Sequence, residues 1–164
     1  MKNLTFLLSE YGESHTNSIN ITIHFVCVPA IFWSVCALLH MVKWNSHSFV
    51  GLNGLDLPVL AFVLMYYFLL SPVLSFGFVV LGAGCITLSA LIEIQGWSLL
   101  IVALIVFSTA WIGQRLEHRI EGKKHSFLKD LQFLLIGPAW IMAFIYQKLG
   151  FNLETDGLKS AKNP

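Results

Sequence analysis

The sequence predicts an all-α protein, a polytopic transmembrane helical bundle of four to five spans. Of its 164 residues, 56% are hydrophobic and only 12% are charged, against roughly a quarter charged in a soluble domain. The charges gather in short segments between long apolar runs. Those runs approach the roughly twenty residues that a helix needs to cross a bilayer core about 30 Å thick. Residues 1–150 are read as one transmembrane domain and 151–164 as a disordered tail. The formal net charge of +1 is uninformative about partners. No basic stretch shows the aromatic interleaving of a nucleic-acid surface, so nucleic acid is excluded.

The first expected span is Ile19–Met41, polar only near its start. Leu55–Leu70 is the second, short at roughly 24 Å, and it stops at Ser71-Pro72. Val73–Ile92 is the third, so these two form a tight hairpin around the proline. Trp97–Gly113 is the fourth. Leu131–Leu149 is the fifth, crossing or re-entering, with a Gly-Pro pair in "IGPAW" that neighbouring helices can tolerate. The first residues lack the apolar core and cleavage site of a signal peptide, so they are expected to be retained. Cys27, Cys36 and Cys85 lie in apolar runs with neither disulfide nor metal-knuckle spacing, and are read as buried free thiols.

The most charged stretch, "QRLEHRIEGKKHSFLKD", carries Arg115, Arg119, Lys123, Lys124 and Lys129. The positive-inside rule places it on the cytoplasmic side. Four spans return the chain to the face on which it started, so His15 and His24 are expected to share the cytoplasmic face with His118 and His125.

Two polar clusters result. In "SHTNSINITIHFVCVP", Asn17, Asn20 and His24 fall within a helical stripe about 60° wide, and His15 lies on the entering chain. In the second, Gln114, His118, Glu121 and His125 follow at spacings of four, three and four, again one stripe on a continuous helix. Gly122 is placed to end that helix early, and Glu117 flanks the stripe. Imidazole with carboxylate is a ligand set for Fe(II), Mn or Zn. Carboxamides at helical spacing are suited to orienting such imidazoles.

Plainer readings stand beside this one. Histidines at helix ends commonly cap or lie in the interface. His40 and His47 are read this way, since nothing acidic or His-like accompanies them after the first span. The cations near Glu121 also suit a solvated ion-pair face, and Asn17 and Asn20 also suit bonds to neighbouring helices. The convergence of several imidazoles, a carboxylate and three carboxamides from distant segments tips the reading toward a metal site, because such groups at membrane depth are costly and usually functional.

"HTNSINITIHFVCVP" resembles the pattern H-x-N-P-x-N-x-x-x-H-x-x-G-x-P of the 2-hydroxy fatty acid dioxygenase family, membrane proteins related to the fungal 2-hydroxypalmitate dioxygenase. "QRLEHRIEGKKHSFLKDLQFLLIGPAW" resembles its second signature, Q-x-x-G-H-x-x-E-G-K-x-P-S-F, followed by D-L-x-x-L-L-x-G-P-x-W. Ser18 stands where proline is usual, Cys27 where glycine is, Glu117 replaces the glycine before His118, and His125 replaces a proline.

The resemblance implies His15, His24 and His118 as metal ligands and Glu121 as catalytic base or fourth ligand. It implies Asn17, Asn20 and Gln114 as groups behind the ligands or in contact with substrate. Arg115, Arg119 or Lys123 would pair with the substrate carboxylate, a role open to any interfacial cation, and Glu117 and His125, which the family pattern does not supply, add possible extra ligands. The implied cofactor is Fe(II), one ion or two. The implied partners are O2, a 2-hydroxy fatty acid and the lipid bilayer, with the oligomeric state open. The reaction would shorten the acid by one carbon, as in fatty acid α-oxidation. The implied location is the inner membrane of a bacterium or the endoplasmic reticulum of a eukaryote. A carrier or lipid-binding protein without catalysis is the alternative, and the near absence of ionisable residues inside the second and third runs counts against it.

Overall fold

The computed structural model describes residues 8, 18–43, 54–121 and 127–150, and the side chains of 18, 70, 117–121 and 127–135 lie outside that description. Among the described residues the chain is all-helical: α1 (Ser18–Met41), α2 (Asp56–Leu70), α3 (Pro72–Ile94), α4 (Leu99–Glu121) and α5 (Phe127–Lys148). Three helices are long and apolar enough to cross a membrane, over Ile19–Met41, Pro72–Ile94 and Leu99–Leu116. The chain is a helical membrane protein. At 15 residues, α2 spans roughly 22 Å, short of a full crossing if upright.

Local chemistry sets the helix ends. Ser71 is extended at φ −162° and caps α3, its hydroxyl accepting from Leu74 N at 3.5 Å. Pro72 then occupies the first helical position, where a missing N–H costs nothing. At the other end Gly96 adopts φ 77°. Its N–H donates to Glu93 O at 2.9 Å and that of Trp97 to Ile92 O at 3.2 Å, a Schellman ending that only glycine enters without strain. Helix α4 starts at Leu99 rather than Trp97 because of this turn, and Ile101 N donates to Ser98 Oγ at 3.5 Å. It runs past Gly113 into the charged segment as far as Glu121. Both Pro29 and Pro138 lie within continuous helices, α1 and α5.

The chain forms two compact units, Met1–Pro29 with Ala110–Pro164, and Ala30–Thr109. The core of the second gathers Trp33, Cys36 and Ala37 from α1, Leu60 from α2, Cys85 from α3, and Leu99 and Ala103 from α4. Tyr67 stacks on Phe78 across the Ser71-Pro72 turn, with ring centroids 3.9 Å apart and planes 11° from parallel. All three cysteines are free thiols; Cys36 and Cys85 are buried as expected, whereas Cys27 is only half-buried. Phe62, Leu69, Phe76, Val80, Ile101 and Ile105 are exposed, a liability in water and the natural surface of a helix in lipid.

A polar clasp joins α1 and α2 in this unit. His40 Nδ1 lies 3.0 Å from Asp56 Oδ2, and Asp56 is 2% exposed. Leu55 N donates to both Leu39 O at 3.2 Å and Val42 O at 3.0 Å, and Lys43 bridges Gly54. A Cβ at Gly54 would meet His40 O at 2.7 Å and Asp56 Oδ1, so only glycine lets the chain turn so close to the pair. The reading of His40 as unaccompanied is therefore corrected: its acidic partner enters from the start of α2. His47 lies outside the described residues. His40→Ala is expected to destabilise this unit by about 3 kcal/mol, because it strands a buried carboxylate. Unfolding of the detergent-solubilised protein measures the loss, and Asp56→Asn in the same background should recover part of it.

Candidate functional site

In the first unit, α1 and α4 approach closely enough that a Cβ on Gly113 would lie 2.7 Å from Cys27 Sγ. Any larger residue at this point would have to displace the Cys27 thiol. The approach lets the next residue on α4 reach a histidine on α1: Gln114 Nε2 is 3.3 Å from His24 Nδ1. His24 is 2% exposed. The two polar clusters singled out in the sequence therefore meet through this pair, which links positions 90 residues apart.

The apolar wall around His24 comes from α5. Trp140, fully buried, meets the imidazole edge-on with centroids 6.0 Å apart and planes at 81°. Phe25 packs against Trp140 at 6.1 Å and Phe144 at 5.2 Å, and Lys148 Nζ lies 5.0 Å over the Phe144 ring. Such a wall excludes water and fixes the ring plane. Trp140 closes the "IGPAW" end of the second signature, but nothing in the sequence assigned it a part in the site, because an aromatic residue inside an apolar helix looks like ordinary core.

Asn20 lies one turn before His24 on the same face of α1. It is 0% exposed, and among the described residues neither Oδ1 nor Nδ2 has a hydrogen-bond partner. An unpaired buried amide costs about 1–3 kcal/mol. Asn20 therefore does not act as the group that orients His24; Gln114 does. Arg115, next to Gln114 but about 100° around the helix, is exposed and does not share the buried face.

The remaining expected site residues fall elsewhere in the chain. His15, Asn17, Lys123 and His125 lie outside the described residues. Glu117, His118, Arg119 and Glu121 lie on α4, but their side chains are outside the description. Because α4 is helical through Glu121, positions 114, 118 and 121 share one face by register. Among the described residues no three His, Cys, Asp or Glu side chains gather into a cluster able to hold a metal.

The described part still fits one corner of a metal site. With Nδ1 engaged by Gln114, ligation by His24 would go through Nε2. That requires the proton on Nδ1, donated to a carboxamide oxygen, the outer partner typical of metal-bound imidazole. A half-turn of the Gln114 carboxamide presents Oε1 in place of Nε2. On the metal-site reading, Gln114→Leu would weaken metal binding about 10- to 100-fold, whereas Gln114→Glu, an obligate acceptor, would hold it. Metal titration of the apoprotein compares the two.

Helices able to cross a membrane and a buried, carboxamide-held imidazole under an aromatic wall define a membrane protein with a histidine site at a helix-helix crossing. The chain belongs to the family described as Mpo1-like, 2-hydroxy-palmitic acid dioxygenase Mpo1-like, which it matches over residues 1–149. No curated protein and no solved structure matches the chain.

Proposed function

We propose that this protein is an Fe(II)-dependent dioxygenase that shortens 2-hydroxy fatty acids by one carbon at the cytoplasmic face of its membrane. The observation that carries the reading is the His24–Gln114 pair, which joins both family signatures in one buried place. His15, His24 and His118 would hold the iron, with Glu121 as base or further ligand. Bound iron would supply the redox chemistry with O2. Taken without any other reductant, the balance is 2-hydroxy acid plus O2 giving the acid one carbon shorter, CO2 and water.

The protein's own groups do the rest. Gln114 fixes the imidazole of His24 through Nδ1, and Trp140 and Phe25 keep water from it. The acyl chain stays in the apolar phase, where each buried CH2 contributes about 0.8 kcal/mol to binding. The charged segment after Gly113 carries the positive-inside signal that supports the cytoplasmic side.

The test is turnover by anaerobically purified protein given 2-hydroxypalmitate with and without O2. The reading expects pentadecanoate only with O2. Binding of the acid without any O2-dependent product would shift the assignment to a lipid-binding protein or carrier.

A further inference from the structure

The sequence leaves Asn20 either behind the ligands or against the substrate, and the structure separates these roles. A residue that orients a ligand must bond it. Gln114 bonds His24, while among the described residues both ends of the Asn20 carboxamide are unpaired at 0% exposure. Buried polar groups are nearly always paired, so an orphan of this kind points to an absent partner. That partner must offer a donor and an acceptor together, to meet Oδ1 and Nδ2.

A 2-hydroxy carboxylate does so on adjacent carbons. Its hydroxyl can donate to Oδ1 while a carboxylate oxygen accepts from Nδ2. The surroundings favour the anion as well. Asn20 lies in the first turn of a 24-residue helix with no acidic residue in that turn, and the positive end of the helix dipole favours a carboxylate there. Arg115 is the described cation nearest in sequence to the pair, and it is exposed on another face of α4.

We infer that Asn20 reads the head group of the 2-hydroxy acid in a two-point contact, its Oδ1 accepting from the 2-hydroxyl and its Nδ2 donating to the carboxylate. The substrate class rests on the function proposed above. Asn20 is then a specificity-determining residue, and the unsubstituted fatty acid, lacking the hydroxyl, leaves Oδ1 stranded. Sites built to bond a hydroxyl discriminate strongly against analogues without one.

The experiment measures equilibrium binding of labelled 2-hydroxypalmitate and palmitate to the full chain in detergent, without O2, with iron per chain and thermal midpoint recorded for each variant. The wild type is expected to prefer the 2-hydroxy acid by about ten-fold or more. Asn20→Leu should bring the two acids to within about two-fold, with iron unchanged and a midpoint equal or higher, because no protein bond is lost. Asn20→Asp is nearly the same size and keeps the acceptor while repelling the carboxylate, so it should weaken both acids. It also serves as the test if Asn20→Leu does not fold.

Preference retained in Asn20→Leu, or undiminished affinity in Asn20→Asp, overturns the inference while leaving the dioxygenase reading intact. An iron-free, inactive wild type whose preference still depends on Asn20 overturns the dioxygenase reading and leaves the contact standing.

Discussion

His24→Ala is expected to abolish O2-dependent shortening of 2-hydroxypalmitate, with a loss in kcat/KM of at least about 10³-fold, more than 4 kcal/mol of transition-state stabilisation. The effect is large because His24 serves two purposes at once. It is the proposed ligand from the first signature, and it is the only described histidine bonded to a residue of the second. Removing the imidazole also leaves Gln114 facing a void beneath Trp140. Secondary structure should survive, since the helices end on caps and turns away from this residue. Unchanged circular dichroism with lost turnover is the expected pair of results. Activity within ten-fold of wild type would remove His24 from the site.

Gly113→Ala is expected to reduce turnover about 10- to 100-fold through geometry alone, because a displacement of about 1 Å at a catalytic group has that consequence. The added Cβ would lie 2.7 Å from Cys27 Sγ, so either the thiol turns aside or α4 moves from α1, and the second carries Gln114 off His24. The second substitution makes the prediction specific. Cys27→Gly removes the sulfur that the new Cβ meets, and the double variant should recover most of the lost activity. A double-mutant cycle with a coupling of about 1–3 kcal/mol is the signature of two residues sharing one space. Simple additivity would show that the crossing does not set the site.

This pair also explains one departure from the family pattern. Cys27 stands where the family usually has glycine, and the volume it adds on α1 is accommodated by Gly113 on α4. Such compensation is invisible in one sequence, since nothing in the spacing of Cys27 and Gly113 says that they meet.

Other parts were legible for physical reasons. Long apolar runs in so uncharged a chain favour membrane helices, so α1 and α3 emerge near their expected limits, while α4 continues beyond its expected end to Glu121. The Ser71-Pro72 turn follows from proline's fixed φ and the cap that serine provides. The meeting of His24 and Gln114 was foreshadowed because polar residues at the ends of apolar helices have few places to go. The clasp of His40 with Asp56 was not. It depends on how the chain returns after Met41, which the sequence alone does not fix. Trp140 stands in the second signature, but its edge contact with His24 was not readable among its apolar neighbours.

The central claim is that the paired signatures form an iron site, and the most direct measurement is iron per folded chain in protein purified without oxygen, taken beside its turnover of 2-hydroxypalmitate. The account predicts at least one iron per active chain, with activity that rises in proportion to iron content. Full turnover by protein freed of iron would contradict it.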